Sequence, residues 1–321
     1  FPDDITIWRD FAFGKHCHLV MTDLRSRKGD HPVAEDAFPG AVAVTEDDMK
    51  EHLGDVSEYA RPYVDIETYG EGAYKTALSD YAESGGYLVA DIQGLISADW
   101  INGQIEDGAG GGSLTPIDTS DASLALGIAY TDVGKRGRYS SLGSRYLTIK
   151  DAYDAFCAVG YAKDKASQTI MGEPQRKWFL DTMKASTATW KVWGNEYMVM
   201  PQVVDLRAAT TLPPAFKQRF YINSEDWTSC PDRRDEVIIE LGGLDNVVAI
   251  TGDIHAFFAG VPSPRTDPSK SIIEFVTAGI ASNSLRTLLL RTAQGDPTLA
   301  AANAPVLAYG IKTFLTEPKI K

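Results

Sequence analysis

The chain has 321 residues, 44% hydrophobic and 23% charged, values that suit a globular protein with a sizeable core. Its 44 acidic and 31 basic side chains leave a formal charge of −13, a field that disfavours general nucleic-acid binding and anionic membrane surfaces. No stretch approaches the ~20 consecutive apolar residues of a spanning helix, and three cysteines (Cys17, Cys157, Cys230) with no C-x-x-C spacing exclude a disulfide framework. An anionic substrate remains compatible with the charge, because a bound polycation reverses the local sign inside a site.

The start at Phe1 rather than Met, without a signal peptide, reads as a processing point. Residues 5–13 alternate as a strand, Gly14-Lys15 reads as a turn, and residues 16–23 read as a second strand of a hairpin. His16 and His18 share a face there, but their alternation with Cys17, Leu19 and Met21 describes a half-exposed strand, and no metal ligation by them is expected. That strand ends at Thr22-Asp23-Leu24-Arg25. Arg25 has the fork geometry to grip a phosphate, or Asp23 and Arg25 pair with each other or with a turn.

From 29 to 167 the texture changes to acidic helical segments (46–53 and 74–83) separated by loops. The glycine run 108–112 follows no clear strand and lacks a following Lys-Ser/Thr, which argues against a phosphate-binding P-loop and for a mobile surface loop. Residues 146–149 read as a strand after the Ser/Gly-rich 140–144. The whole stretch reads as a large insertion able to lid a site.

Order returns at Met171. Residues 172–184 predict a helix, with Pro174 near its start and Trp178, Phe179 and Met183 at helical spacing. Residues 190–193 predict a strand ending in Gly194-Asn195-Glu196, and the aromatic, polar 218–227 a loop or cleft wall. A helix over 235–241 leads into the apolar run 247–250, a buried strand that stops at Thr251-Gly252. Asp253 and His255 follow, two residues apart, on one side of an extended backbone. As an isolated D-x-H this is either a pair of metal ligands or a capping aspartate beside a hydrogen-bonded core histidine. Residues 272–276 make another strand, 278–283 a small-residue turn, 285–291 a helix, and the tail from 298 is peripheral. The second half thus reads as α/β, with functional side chains collected at carboxyl ends of strands.

Four segments occur in an order that resembles PhoD-type phosphatases: Leu19-Val-Met-Thr-Asp-Leu-Arg25, Met171-Gly-Glu-Pro-Gln-Arg-Lys-Trp-Phe-Leu180, Trp190-Lys-Val-Trp-Gly-Asn195 and Gly252-Asp-Ile-His-Ala256. Ser141-Leu-Gly-Ser-Arg-Tyr-Leu147 and Gln218-Arg-Phe-Tyr-Ile-Asn223 are similar to segments of longer members. The family contains alkaline phosphatases and phospholipase-D-like phosphodiesterases of the metallophosphoesterase superfamily. The resemblance implies an α/β fold, a metallophosphoesterase-like β-sandwich flanked by helices and carrying a large insertion. It partitions the chain into first strands (1–28), an insertion or lid subdomain (29–167), the carboxy-terminal half of the catalytic domain (168–285), and a terminal helix and tail (286–321). Gly252-Asp253-Ile254-His255 is similar to the superfamily's Gly-His-x-His ligand motif, with Asp in place of the first His.

The implied chemistry is phosphoester hydrolysis at a multinuclear metal site, with Asp253 and His255 as ligands. The implied ions are Ca²⁺ and Fe³⁺, with Zn²⁺, Mg²⁺ or Mn²⁺ as alternatives. Asn195 and Glu196 are candidates to face metal or phosphate, and Arg25 to contact a phosphate-ester substrate. The family's further ligands (a Cys, a Gly-Asp strand end, an Asp-Asp-His-Glu/Asn segment) do not precede Ile5. The resemblance therefore implies a completing amino-terminal fragment of the same enzyme, and a periplasmic or secreted location. The competing expectation is a non-catalytic binding or cell-surface domain that keeps the fold without a full metal cluster.

Overall fold

The computed structural model describes residues 6–85, 91–135, 147–210 and 214–279, with 283, 287 and 291. Expectations for residues 1–5, 86, 140–146, 280–282, 285–291 and 298–321 lie outside these, apart from Thr287 and Arg291. The chain divides into two compact units, one formed by 1–32 with 165–321 and the other by 33–164.

The first unit is built on a six-stranded sheet in the order β1-β2-β8-β11-β13-β12. These strands are β1 (Arg9–Phe13), β2 (Cys17–Met21), β8 (Trp190–Asn195), β11 (Val247–Thr251), β12 (Phe258–Gly260) and β13 (Ile273–Val276). The hairpin β1–β2 is antiparallel; β2, β8, β11 and β13 run parallel; β12 closes the far edge antiparallel to β13. Because the four parallel strands point the same way, the segments after Met21, Asn195, Thr251 and Val276 emerge along one edge of the sheet. That edge is where open α/β sheets carry ligand sites.

Two helices cover one face. The first, α5 (Glu173–Ala185), follows Gly172, whose φ of 69° only glycine adopts freely, and has Pro174 in its first turn, where no amide hydrogen is missed. The second, α6 (Pro231–Leu241), starts on Pro231 and carries Asp232 beside its positive end. Phe179, Leu180 and Met183 of α5 and Val237, Ile238 and Leu241 of α6 pack with Val20, Trp193, Val247 and Ala249 into one core. Trp193 lies at its centre, 4.9 Å from the Phe179 ring and edge-on to Trp227 at 5.5 Å. The register sets Val20, Trp193, Ala249 and Glu274 in one row across this face.

The other face carries Met21, Trp190, Ile250, Ile273 and Phe275, all exposed, with Phe11 and Phe13 exposed on β1. In β13 the usual alternation is inverted: Glu274 is fully buried on the helix side, while Ile273 and Phe275 are exposed. The described residues thus form a sheet with helices on one side and an open apolar surface on the other. Among the described residues nothing buries that apolar face, which is where the expected sandwich would place its partner sheet. Two further strands, β9 (Val203–Asp205) and β10 (Arg219–Tyr221), pair antiparallel, and β10 falls in the stretch 218–227 expected to be a loop or cleft wall.

The unit 33–164 holds a second, antiparallel sheet in the order β3-β6-β4-β5, formed by Val42–Val44, Leu126–Ala129, Arg61–Asp65 and Leu95–Ser97. Four helices accompany it: α1 (Glu46–Leu53), α2 (Ala73–Gly85), α3 (Ala98–Glu106) and α4 (Lys150–Lys163). Helix α1 begins at a reciprocal cap, in which Thr45 accepts from the Asp48 amide and Asp48 from the Thr45 amide. Its core gathers Val64, Ile66, Leu78, Ile96, Trp100 and Ile101. The glycine run forms a 3₁₀ turn, Ala109–Gly112, with Ala109 buried in that core. Residues 148–149 form a short strand, β7. Among the described residues no helix is long and apolar enough to cross a membrane.

Candidate functional site

The turn after β11 is where the backbone leaves its ordinary conformations. Asp253 has φ 68° and His255 φ 58°, two of only four non-glycine residues in the left-handed region among those described. Ile254 between them donates its amide to the Gly252 carbonyl at 2.9 Å. Strain of about 1–3 kcal/mol per residue persists only where the surroundings hold it, and such residues concentrate at functional sites. The curl separates Asp253 and His255 from the extended geometry that the D-x-H spacing alone suggests. Asp253 is exposed and the His255 ring half-buried, its Nδ1 2.9 Å from the Asn283 carbonyl oxygen.

The structure brings Arg25 to the same place. Its Nη2 lies 3.6 Å from Asp253 Oδ1, and its guanidinium stacks over the Tyr197 ring at 5.6 Å. The Arg25 side chain is 71% exposed, so the pair is worth little to stability, while the fork stays open to solvent. Lys28 approaches the same ring at 5.7 Å and pairs with Glu225 at 3.1 Å. Burial pushes the Tyr197 phenol above its ordinary value.

Asp23 does not pair with Arg25. It is buried, and its carboxylate accepts from the Ser26 amide at 3.1 Å and from the Ser26 hydroxyl, closing the turn that carries Arg25. Glu196 lies under that turn and accepts from the amides of Leu24 and Arg25. Burial raises its pKa above the ordinary glutamate value, and the nearby Asp23 charge adds to this. Asn195 turns inward: its side-chain amide donates to the Tyr197 carbonyl and to Thr251 Oγ1 at 3.1 Å, while its oxygen accepts from the Trp227 indole at 3.3 Å. Of the five residues singled out from the sequence, Arg25, Asp253 and His255 therefore lie open at the edge of the sheet, while Asn195 and Glu196 support them from beneath. His18 bonds Asp10 across the hairpin at 2.8 Å.

Behind the edge are two buried carboxylates that the sequence reading missed. Glu274 accepts from the Val199 and Met200 amides, both at 2.8 Å, and from Thr251 Oγ1 at 2.7 Å. Asp226 accepts from the Thr228 amide at 2.8 Å and more distantly from Gln202. Its burial pushes the carboxyl up to about 7. The signal for Glu274 was an acid inside the apolar run Ile272-Ile-Glu-Phe-Val276; Asp226 had none beyond its aromatic neighbours.

A pH dependence follows from Asp226. An unfolded aspartate ionises near 3.9, so between about pH 4 and 7 the folded chain holds a proton that the unfolded chain has released. Stability contributed here is present at low pH and falls as pH rises through that window. Asp226→Asn removes this dependence; its Oδ1 keeps the Thr228 amide, and its new NH₂ meets the Gln202 side-chain amide, which must turn over to offer the Oε1 that otherwise has no partner. The variant is expected to gain more stability over wild type at about pH 8 than at about pH 5 in urea unfolding. An equal difference at both pH values would show that Asp226 is ionised throughout.

Asp253 and His255 supply a hard oxygen and an imidazole nitrogen, a donor pair suited to iron, zinc, calcium or manganese. Among the described residues no three His, Cys, Asp or Glu side chains gather as a metal site. The pair fits as part of a coordination shell and needs further donors to complete one.

A family model described as PhoD-like phosphatase matches residues 140–314. Alkaline phosphatase D of Bacillus subtilis (strain 168) is 28% identical over 121 residues, 36% of this chain and 19% of that protein. A solved structure titled Structure of PhoD aligns with 87% of this chain and 30% of its own, at 15% identity and a TM-score of 0.37. The match thus spans about a fifth of the length of the curated relative.

Proposed function

Because the chain belongs to the PhoD-like phosphatase family, we propose that it forms the part of a metal-dependent phosphoester hydrolase that carries one side of the metal site. The observation that supports this most is the strained turn at the end of the central strand, which carries Asp253 and His255 and sets Asp253 beside the open Arg25 guanidinium.

In this reading Asp253 and His255 are ligands of a multinuclear centre containing Ca²⁺ and Fe³⁺, with Zn²⁺, Mg²⁺ or Mn²⁺ as alternatives. Bound cations neutralise the phosphoryl oxygens and lower the pKa of a water, the two needs of phosphoester hydrolysis. Arg25 grips a non-bridging phosphate oxygen through its planar fork. Glu196 holds the Leu24 and Arg25 amides, which keeps that fork at the strand edge. Asn195 fixes the ends of β8 and β11 to each other through Thr251.

The remaining donors come from an amino-terminal fragment of the same enzyme. Two features support this: among the described residues no third His, Cys, Asp or Glu joins the pair, and the sheet leaves an apolar face of the kind a second sheet covers. The completed fold is the helix-flanked β-sandwich of the metallophosphoesterases. The enzyme acts in the periplasm or outside the cell.

The test is hydrolysis of an aryl phosphate monoester and a diester by the purified protein, before and after chelation, with elemental analysis for iron, calcium and zinc. Chelation is expected to abolish hydrolysis and re-addition of the ions to restore it. A lone, metal-free polypeptide with no hydrolysis would instead favour a binding module that keeps the fold, a reading the two-donor site also supports.

A further inference from the structure

Glu274 is fully buried on the helix-covered face of the sheet, in the middle of a strand, where an acid is costly unless it is bonded. Its carboxylate takes three donors at 2.7–2.8 Å from two different chain segments. Two are the backbone amides of Val199 and Met200, in the segment that follows β8. The third is the hydroxyl of Thr251, the last residue of β11. The hydroxyl is polarised from both sides, because it donates to Glu274 and accepts from the Asn195 amide at 3.1 Å. The Thr251 carbonyl in turn accepts from the Thr277 amide at 2.8 Å, just past β13. The next residues are Gly252 and the left-handed Asp253.

We propose that Glu274 is a positioning residue: through Thr251 it fixes where β11 ends, and so holds the strained turn that presents Asp253 and His255. A carboxylate suits this place because it accepts from several donors at once and offers none in return. The Glu274–Thr251–Asn195 line joins β13, β11 and β8 at the one edge where their side chains must keep a fixed spacing. Groups that orient ligands from behind are worth roughly 10–100-fold in metal affinity. The inference rests on the proposed metal role of the turn only for its consequence in binding; the positioning itself is a claim about the backbone.

Two measurements on the purified protein separate these. One is hydrogen–deuterium exchange over residues 252–256 without added metal; the other is binding of Mn²⁺ alone. Thr251→Val deletes the hydroxyl link but spares the bonds to Val199 and Met200. It is expected to speed exchange over 252–256 about tenfold and to weaken Mn²⁺ binding by ~10–100-fold, with exchange in α5 and α6 unchanged. Thr251→Ser is expected to restore both. Glu274→Gln puts an NH₂ group against a backbone N–H and should also loosen 198–201. If it fails to fold, Thr251→Val carries the test. Wild-type exchange over 252–256 in Thr251→Val overturns the inference, whatever Mn²⁺ does. Accelerated exchange with Mn²⁺ binding that Asp253→Asn leaves untouched supports the positioning role and removes the metal reading instead.

Discussion

Asp253→Asn is expected to lower phosphoester hydrolysis by about 100-fold or more and to reduce the bound metal with it, because a neutral amide is a far weaker ligand for a hard cation. The substitution isolates that chemistry. Asparagine tolerates the left-handed backbone as aspartate does, so the φ of 68° at this position imposes no new strain. The same reasoning makes His255→Asn a cleaner test than His255→Ala, since alanine at φ 58° adds a backbone cost to the lost imidazole. Neither residue is in the core, so unfolding midpoints are expected to stay near wild type. His16→Ala and His18→Ala serve as controls, and both are expected to keep full metal content. Loss of metal in those two, with retention in Asp253→Asn and His255→Asn, would make the turn a structural feature and remove the main support for the proposed site.

Arg234→Ala is expected to cost about 3 kcal/mol of stability, at the lower end of what breaking a buried charge pair costs. The Arg234 guanidinium is buried and donates to the Val199 carbonyl at 2.6 Å, the Ser263 carbonyl at 3.1 Å and Asp235 at 2.9 Å. Three elements are fastened at that point, and removal leaves two carbonyls without a donor. The cost is limited because Arg265 still holds Asp235 through Nε at 2.6 Å. Arg234→Lys should recover little, since one ammonium cannot reach the divergent acceptors that the planar fork spans. Urea unfolding of the three proteins measures this. A loss below about 1 kcal/mol for Arg234→Ala would mean that packing, not the guanidinium, holds the 199 and 263 segments.

Much of the sheet was legible because its strands and helices announce themselves by period. Val247–Thr251 is short and β-branched, and α5 follows a Gly-Glu-Pro start with apolar residues at helical spacing. The helix expected over 46–53 is α1, whose capping pair lies in the sequence as Thr45-Glu-Asp-Asp48. The antiparallel sheet of the 33–164 unit was not legible. Its strands are three to five residues long and carry Gly127, Pro62 and Arg61 among their pairing positions, so no sustained alternation survives. The site was half legible. Chemistry-bearing residues after strands mark Arg25, Asp253 and His255, but spacing cannot say which way an amide or acid turns. Asn195 and Glu196 follow a strand as openly as Asp253 does, yet the register points Asn195 into the helix-covered face beside Thr251. The inverted pattern of β13 hides Glu274 for the same reason: an acid between two apolar residues reads as the exposed position, and here it is the buried one.

The parallel neighbours β2 and β8 are joined across the entire 33–164 unit, so that Thr22 and Gly194 meet although they stand 172 positions apart in the chain. During synthesis at roughly 5–20 residues per second, the first hairpin therefore leaves the ribosome on the order of 10–30 s before its sheet partner exists. The intervening unit can use that interval, because its four-stranded sheet pairs only strands made within it. The hairpin cannot, and it waits with Val20 unpacked. The row Val20, Trp193, Ala249, Glu274 shows where the wait ends. The edge that carries Arg25 and Asp253 is assembled last, after Ile273–Val276 has emerged, which makes it a late event in the life of each new molecule.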